Sequence, residues 1–179
     1  MNDFLKRNAE TARNFVSKTY NLQYFGKKRR IIFVKNILFV CHGNICRSPM
    51  AEFIFKNMLA QRGLSASFTV ASAATSTEEI YNGRGNPVYP PAVRELAKHG
   101  ISCEGHAARQ VTMKDYHHFD RIYYMDARNL RYLRQQFPNE RKFQPFLPRD
   151  VADPWYTGDF TQTWNDVVEG CTKIMEEFA

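Results

Sequence analysis

The sequence predicts an α/β fold: a single-domain, doubly wound parallel four-stranded sheet with helices on both faces. Two observations predict it. From residue 36 onward, apolar, β-rich runs alternate with stretches of helical periodicity. The first such run, Asn36-Ile-Leu-Phe-Val40, feeds a short loop that opens directly into a helical pattern. Residues 36–179 are enough for one core and one domain.

The elements follow in order. The apolar run 36–40 reads as the first strand. Ser48-Pro49 then starts a helix over 48–62, with Ser48 suited to the N-cap and Pro49 to the first helical position. Phe53, Ile54, Met58 and Leu59 form its inward stripe. A second strand is expected over 67–72. Val88-Tyr-Pro-Pro91 punctuates entry to a helix over 90–99. A third strand, 121–125, leads through Asp126 into a helix over 127–136. A fourth strand, 143–147, lies within the Pro- and Asp-rich stretch 137–160, which is long enough to bring Asp153 back over the first loop. A last helix covers 161–178. His117-His118 reads as capping a helical region rather than as a metal pair.

The loop Cys41-His-Gly-Asn-Ile-Cys-Arg47-Ser48 carries the chemistry. A strand–loop–helix joint aims backbone N–H groups and the positive end of a helix at one spot, which makes an anion site. Here a thiol opens the loop and a guanidinium closes it, and both surroundings favour the thiolate form. Gly43 allows close backbone approach. Asn44 tolerates a left-handed conformation and can bond the loop from inside. Arg47 offers a planar fork matched to two phosphate oxygens. The Ser48 hydroxyl is expected near the Cys41 sulfur. A thiolate, a bidentate oxyanion binder and a cup of amides are what attack on a phosphate monoester needs. Taken alone, Cys41 also suits a small buried hydrophobe, and Asp153-Pro154 suits a plain turn.

Other classes fit less well. The two remaining cysteines, Cys103 and Cys171, are far apart and lack paired ligands, so no metal site and no cofactor are expected. The loop lacks the Lys-Ser/Thr ending of a nucleotide P-loop and is not of GxGxxG type. Residues 1–35 hold nine Lys/Arg and two Asp/Glu, and residues 36–179 hold sixteen of each, so the whole net charge of +7 lies in the N-terminal extension. The basic balance therefore gives no nucleic-acid signal in the folded part. No apolar segment is long enough for a membrane span.

Cys41-x5-Arg47-Ser48 after the first strand, with Asp153-Pro154-Trp155-Tyr156 near the end, resembles the low-molecular-weight protein tyrosine phosphatases. Ser72-Ala-Ala-Thr-Ser76, Ala108-Arg-Gln-Val-Thr112 and Tyr124-Met-Asp126 extend the resemblance over residues 36–179. It implies that Cys41 forms a phosphocysteine, that Arg47 and the amides of the loop (His42, Gly43, Asn44, Ile45, Cys46 and Ser48) hold the phosphate, and that Asp153 is the acid and then the base. The imidazole of His42 is given no part. Trp155 and Tyr156 would wall the cleft; the family usually has Tyr where Trp155 stands. Asn44, Ser48, Ser72 and His106 would form a supporting hydrogen-bond network, and Cys46 a disulfide partner for Cys41. Asp126 is expected to contact Arg47. The implied partner is a phosphotyrosine-bearing protein, met by a monomer or a weakly self-associating chain.

Three rivals remain in view. A thioredoxin-linked arsenate reductase on the same fold needs two further relay thiols. A protein arginine phosphatase typically carries Thr where Ile45 stands and lacks the double aromatic wall. A non-catalytic phosphate-binding module would be expected to lack Cys41 or Asp153. The extension 1–35 departs from the family. Phe4, Leu5, Ala9, Ala12, Phe15, Val16 and Tyr20 recur at helical spacing, and Lys27-Lys-Arg-Arg30 is a basic cluster. It is expected to be a flexible tail, or a product of a start at Val34, ahead of an amphipathic arm. It lacks the continuous apolar core of a secretory signal, and unpaired cysteines suit the reducing cytoplasm.

Overall fold

The computed structural model describes residues 20–25, 28–33 and 35–178, the first two stretches as backbone alone. Those stretches are β1 (Tyr20–Phe25) and β2 (Lys28–Phe33), an antiparallel pair forming a sheet of its own. The sequence pattern had suggested no strand there. The apolar positions Phe4 to Val16 and Lys27 lie outside the described residues.

The chain continues through β3 (Lys35–Cys41), α1 (Arg47–Gln61), β4 (Phe68–Ala74), the short strands β5 (Ile80–Tyr81) and β6 (Arg84–Gly85), and α2 (Pro90–Lys98). Then come α3 (Met113–His118), β7 (Arg121–Tyr124), α4 (Ala127–Gln136), β8 (Phe143–Pro145), α5 (Pro154–Thr157) and α6 (Phe160–Glu177). The main sheet has the order β4-β3-β7-β8, all parallel. The expected α/β class, strand number and direction are therefore observed.

The period of two along β3 divides the core into two layers. Ile37, Phe39 and Cys41 face a cluster with Ile54 and Phe55 of α1, Leu96 of α2 and Ile174 of α6. Leu38 and Val40 face the other cluster, with Tyr116 of α3, Leu133 of α4 and Phe143 of β8. Phe39 sits centrally, edge-on to Phe55 and Phe146 with ring centroids 5.8 and 5.6 Å away. Because the chain leaves β3 for β4 on one flank and later returns to β7 on the other, the carboxyl end of β3 is a topological switch point, where open α/β sheets bind ligands. Cys41 is the last residue of that strand.

Two local expectations are corrected. The N-cap of α1 is Cys46 and the helix opens at Arg47, so Pro49 is not its first residue, and the Ser48 hydroxyl is committed to Cys41 rather than to capping. The inward face of α1 is also broader than the expected stripe. Phe55, fully buried, joins Ile54 and Leu59, while Phe53 and Met58 pack only at the margin, because α1 is covered by both the sheet and α6.

Three further elements were not anticipated. The helix α3 is held by a capping box in which Thr112 and Asp115 satisfy each other's backbone; His117 and His118 end it. The one-turn helix α5 is capped by Asp153. The β5–β6 hairpin turns on Asn82-Gly83, both at positive φ (51° and 75°), a signal legible in the sequence. Gly85 in β6 has no room for a side chain: a Cβ would stand 1.7 Å from the Ala108 carbonyl oxygen.

Candidate active site

The loop between β3 and α1 is held from outside by its carbonyls. Those of Cys41, His42, Ile45 and Cys46 accept from the backbone N–H groups of Thr75, Ser76, Tyr89 and Met50 at 2.8–3.0 Å. The Asn44 carbonyl accepts from His106 Nε2 at 2.9 Å, which makes that nitrogen the protonated one. With the carbonyls fixed outward, the amide edge is left to the cleft. The Asn44 N–H points at Cys41 Sγ, 3.3 Å away. The amides of Gly43, Ile45, Cys46 and Arg47 have no acceptor among the described residues. Such a set of converging N–H groups is an anion nest.

Asn44 adopts the left-handed conformation expected of it, with φ 60°. Its amide locks the loop: Nδ2 donates to Ser48 Oγ (3.0 Å) and Ser72 Oγ (2.8 Å), and Oδ1 accepts from the Arg109 N–H (3.1 Å). Ser48 Oγ lies 3.0 Å from Cys41 Sγ. The four residues expected to form a network, Asn44, Ser48, Ser72 and His106, are thus brought together behind the thiol. Gly43 does not use a positive φ; a Cβ there would meet the Glu79 side chain at 2.9 Å.

Arg47 is buried and reaches across to two carboxylates. Nη1 meets Asp126 Oδ2 at 2.6 Å and the Val151 carbonyl at 3.3 Å; Nη2 meets Asp153 Oδ2 at 2.5 Å. Burial alone would weaken its charge, but Cys41, Asp153 and Asp126 outweigh burial and hold the guanidinium firmly protonated. Asp126, N-cap of α4, binds Arg47 as the sequence suggested. The other oxygen of Asp153 caps α5 at the Trp155 N–H, 3.1 Å, which fixes the carboxylate over the loop.

These groups line one cleft of about 310 Å³. Cys41, the loop through Arg47 except the buried Asn44, Asp153, Trp155 and Tyr156 all border it. The two aromatic residues are exposed, and Trp155 is braced by the Tyr89 ring at 5.5 Å. All four cysteines are free thiols. Burial, then the neighbouring Cys41 and Asp153, push the Cys46 thiol well above the ordinary cysteine range, so it stays protonated. Cys103 and Cys171 are also buried, and burial raises both.

The sequence pattern missed several contributors. Glu52, buried on α1, accepts from Ser72 Oγ at 2.6 Å and extends the network one step deeper. Glu78 and Glu79 stand at the rim, as do Arg128 and Tyr132 of α4. The Asn82-Gly83 turn was the signal for the acidic pair, since it folds that segment back toward the loop. Arg128 and Tyr132 lie four residues apart after the Asp126 cap, hence on one helical face.

The family model for low molecular weight phosphotyrosine protein phosphatases matches residues 36–179. Curated relatives include a low molecular weight protein-tyrosine-phosphatase of Bacillus subtilis, 38% identical over 78% of this chain and 93% of its own length. A low molecular weight phosphotyrosine protein phosphatase of Gallus gallus is 37% identical over 80% of this chain and 96% of its own. The crystal structure of YfkJ from B. subtilis superposes with a TM-score of 0.76 at 35% identity, covering 85% of this chain and 96% of that one.

Proposed function

We infer the working of this cleft from one premise: the chain belongs to the low molecular weight phosphotyrosine protein phosphatase family. It is a cysteine-dependent protein tyrosine phosphatase, hydrolysing aryl phosphate monoesters. The observation that carries the residue roles is the convergence of Cys41, Arg47 and Asp153 on one cleft, with the Asn44 amide donating to the Cys41 sulfur.

In our reading, the Cys41 thiolate attacks phosphorus in line with the aryl oxygen. The S–P bond forms as the P–O bond breaks, and Asp153 gives its proton to the departing phenolate. Loop amides and Arg47 hold the three equatorial oxygens throughout. Asp126 and the Val151 carbonyl keep Nη1 in place, so Nη2 can exchange Asp153 for a phosphate oxygen without losing its orientation. Water then attacks the phosphocysteine, Asp153 takes its proton, the S–P bond breaks, and Ser48 Oγ and the Asn44 N–H receive the returning thiolate. Trp155 and Tyr156 flank the substrate ring. Cys46, beside Cys41 in the cleft lining, is the natural thiol for a protective disulfide. No described helix is long and apolar enough to cross a membrane. Four free thiols suit the cytoplasm, where we place the protein.

Arsenate reduction would need relay thiols, and Cys103 and Cys171 are buried away from that use. Phosphotyrosine and phosphoarginine peptides, assayed side by side with Cys41→Ser as control, test the substrate class. Fast release from phosphotyrosine alone, lost in the variant, is expected. Preference for phosphoarginine would overturn the role given to Ile45, Trp155 and Tyr156.

A further inference from the structure

The mechanism leaves one side of the cleft unused. The segment after β4 carries Glu78 and Glu79, and α4, after β7, carries Tyr132; the two flank β3 and its loop from opposite sides. His42, next to the nucleophile, joins them. Its Nε2 lies 2.8 Å from Glu78 Oε2, and its ring centroid lies 6.1 Å from that of Tyr132. A carboxylate is an acceptor only, so Nε2 carries the hydrogen of this contact. The Glu78 side chain is 70% exposed and Tyr132 is 36% exposed. Glu79, held by Asn86 Nδ2 at 2.7 Å, adds a second negative charge to the same rim. The cation Arg128, one helical turn from Tyr132, lies beside the Tyr156 hydroxyl and makes no ion pair with Glu78 among the described residues.

We propose that Glu78 and Tyr132 form a subsite for a cationic side chain, so that the enzyme selects phosphotyrosine with lysine or arginine as a near neighbour. This rests on the phosphotyrosine reading above. The carboxylate supplies a charge-assisted hydrogen bond and the ring supplies a π-face, the two surfaces that together recognise an ammonium or guanidinium group. His42 contacts both, which ties Glu78 and Tyr132 to the loop beside the nucleophile. The chemistry of the loop is untouched, so the subsite acts on which peptide is held and not on how its phosphate is cleaved.

The test uses three phosphotyrosine peptides identical except for adjacent Lys/Arg, Gln or Glu residues, and a small aryl phosphate as the reference substrate. The wild-type kcat/KM should favour the basic peptide over the neutral one by roughly three- to tenfold, the size expected of one exposed ion pair plus one cation–π contact. Glu78→Gln and Tyr132→Leu should each cut that ratio toward one while the small aryl phosphate is turned over as before, which also shows that the variants are folded. Equal wild-type rates on all three peptides, preference for the acidic one, or a ratio that survives both substitutions would overturn the subsite. If wild type fails on the small aryl phosphate too, the phosphatase reading falls and takes the subsite with it.

Discussion

Replacing Asn44 by Ala should cost the most stability per atom removed of any change in the loop. Its side chain makes three hydrogen bonds with no exposure to solvent. Ser48 and Ser72 keep other partners, Cys41 and Glu52, so losing the two donated bonds costs about 1 kcal/mol each. The Arg109 N–H keeps none, and an orphaned buried donor costs about 1–3 kcal/mol. Alanine at φ 60° adds about 1 kcal/mol of backbone strain. Together these give about 4–6 kcal/mol, a large part of a domain's stability. Asn44→Gly loses the same bonds but escapes the strain, so it should be milder by about 1 kcal/mol. Urea unfolding of the three proteins measures both differences. Turnover of a small aryl phosphate should fall in both variants, because the loop then holds the Cys41 thiol and its amides less firmly. An Asn44→Ala protein within about 0.5 kcal/mol of wild type, the range of ordinary surface substitutions, would refute the account of the loop.

Further outcomes are expected elsewhere. Asp153→Ala should slow hydrolysis of esters with poor leaving groups by about 10²–10⁴-fold and of those with good leaving groups far less; an equal small loss for both would remove Asp153 as the acid. Asp115 gives an acid-side signature. Burial would raise its carboxyl, but hydrogen bonds from Arg109 and Thr112 outweigh burial and hold it below the usual range. Its stabilisation is therefore complete above about pH 4 and is lost as pH falls through the lower folded value. The stability gap between wild type and Asp115→Asn should shrink on acidification below that point, as read by denaturant unfolding at each pH; a gap that widens would contradict the assignment. Deleting residues 1–34 should leave turnover and unfolding midpoint unchanged, since the main sheet begins at Lys35 and, among the described residues, β1 and β2 pair only with each other.

What could be read from the sequence was what local pattern dictates. The four strands and four long helices each announced themselves by period, and their bounds fell within a residue or two of those observed. The loop was legible because its chemistry needs contiguous residues: Cys41, Asn44, Arg47 and Ser48 stand in one stretch. Ser72, His106 and Asp153 came only through resemblance, since nothing local ties them to a thiol some thirty to more than a hundred residues away. Long-range partners without a motif were not legible. Nothing in the helical pattern sets Glu52 apart, yet Ser72 and Lys56 stand against it. Glu78 is likewise tied to the loop only through His42, with no motif between them. The start of α1 was misjudged for a related reason: Ser48 has the chemistry of a cap, but its hydroxyl is claimed by a sulfur seven residues earlier.

The central claim is that Cys41 carries the phosphoryl group. Asp153→Ala, mixed with an aryl phosphate whose leaving group departs without a proton and rapidly quenched, should accumulate the intermediate, because formation no longer needs the acid while the base that activates water is gone. Peptide mapping by mass spectrometry should then find one phosphoryl group on Cys41 and none in the Cys41→Ser protein. A phosphoryl group on another residue of the loop, or continued turnover by Cys41→Ser, would contradict the account.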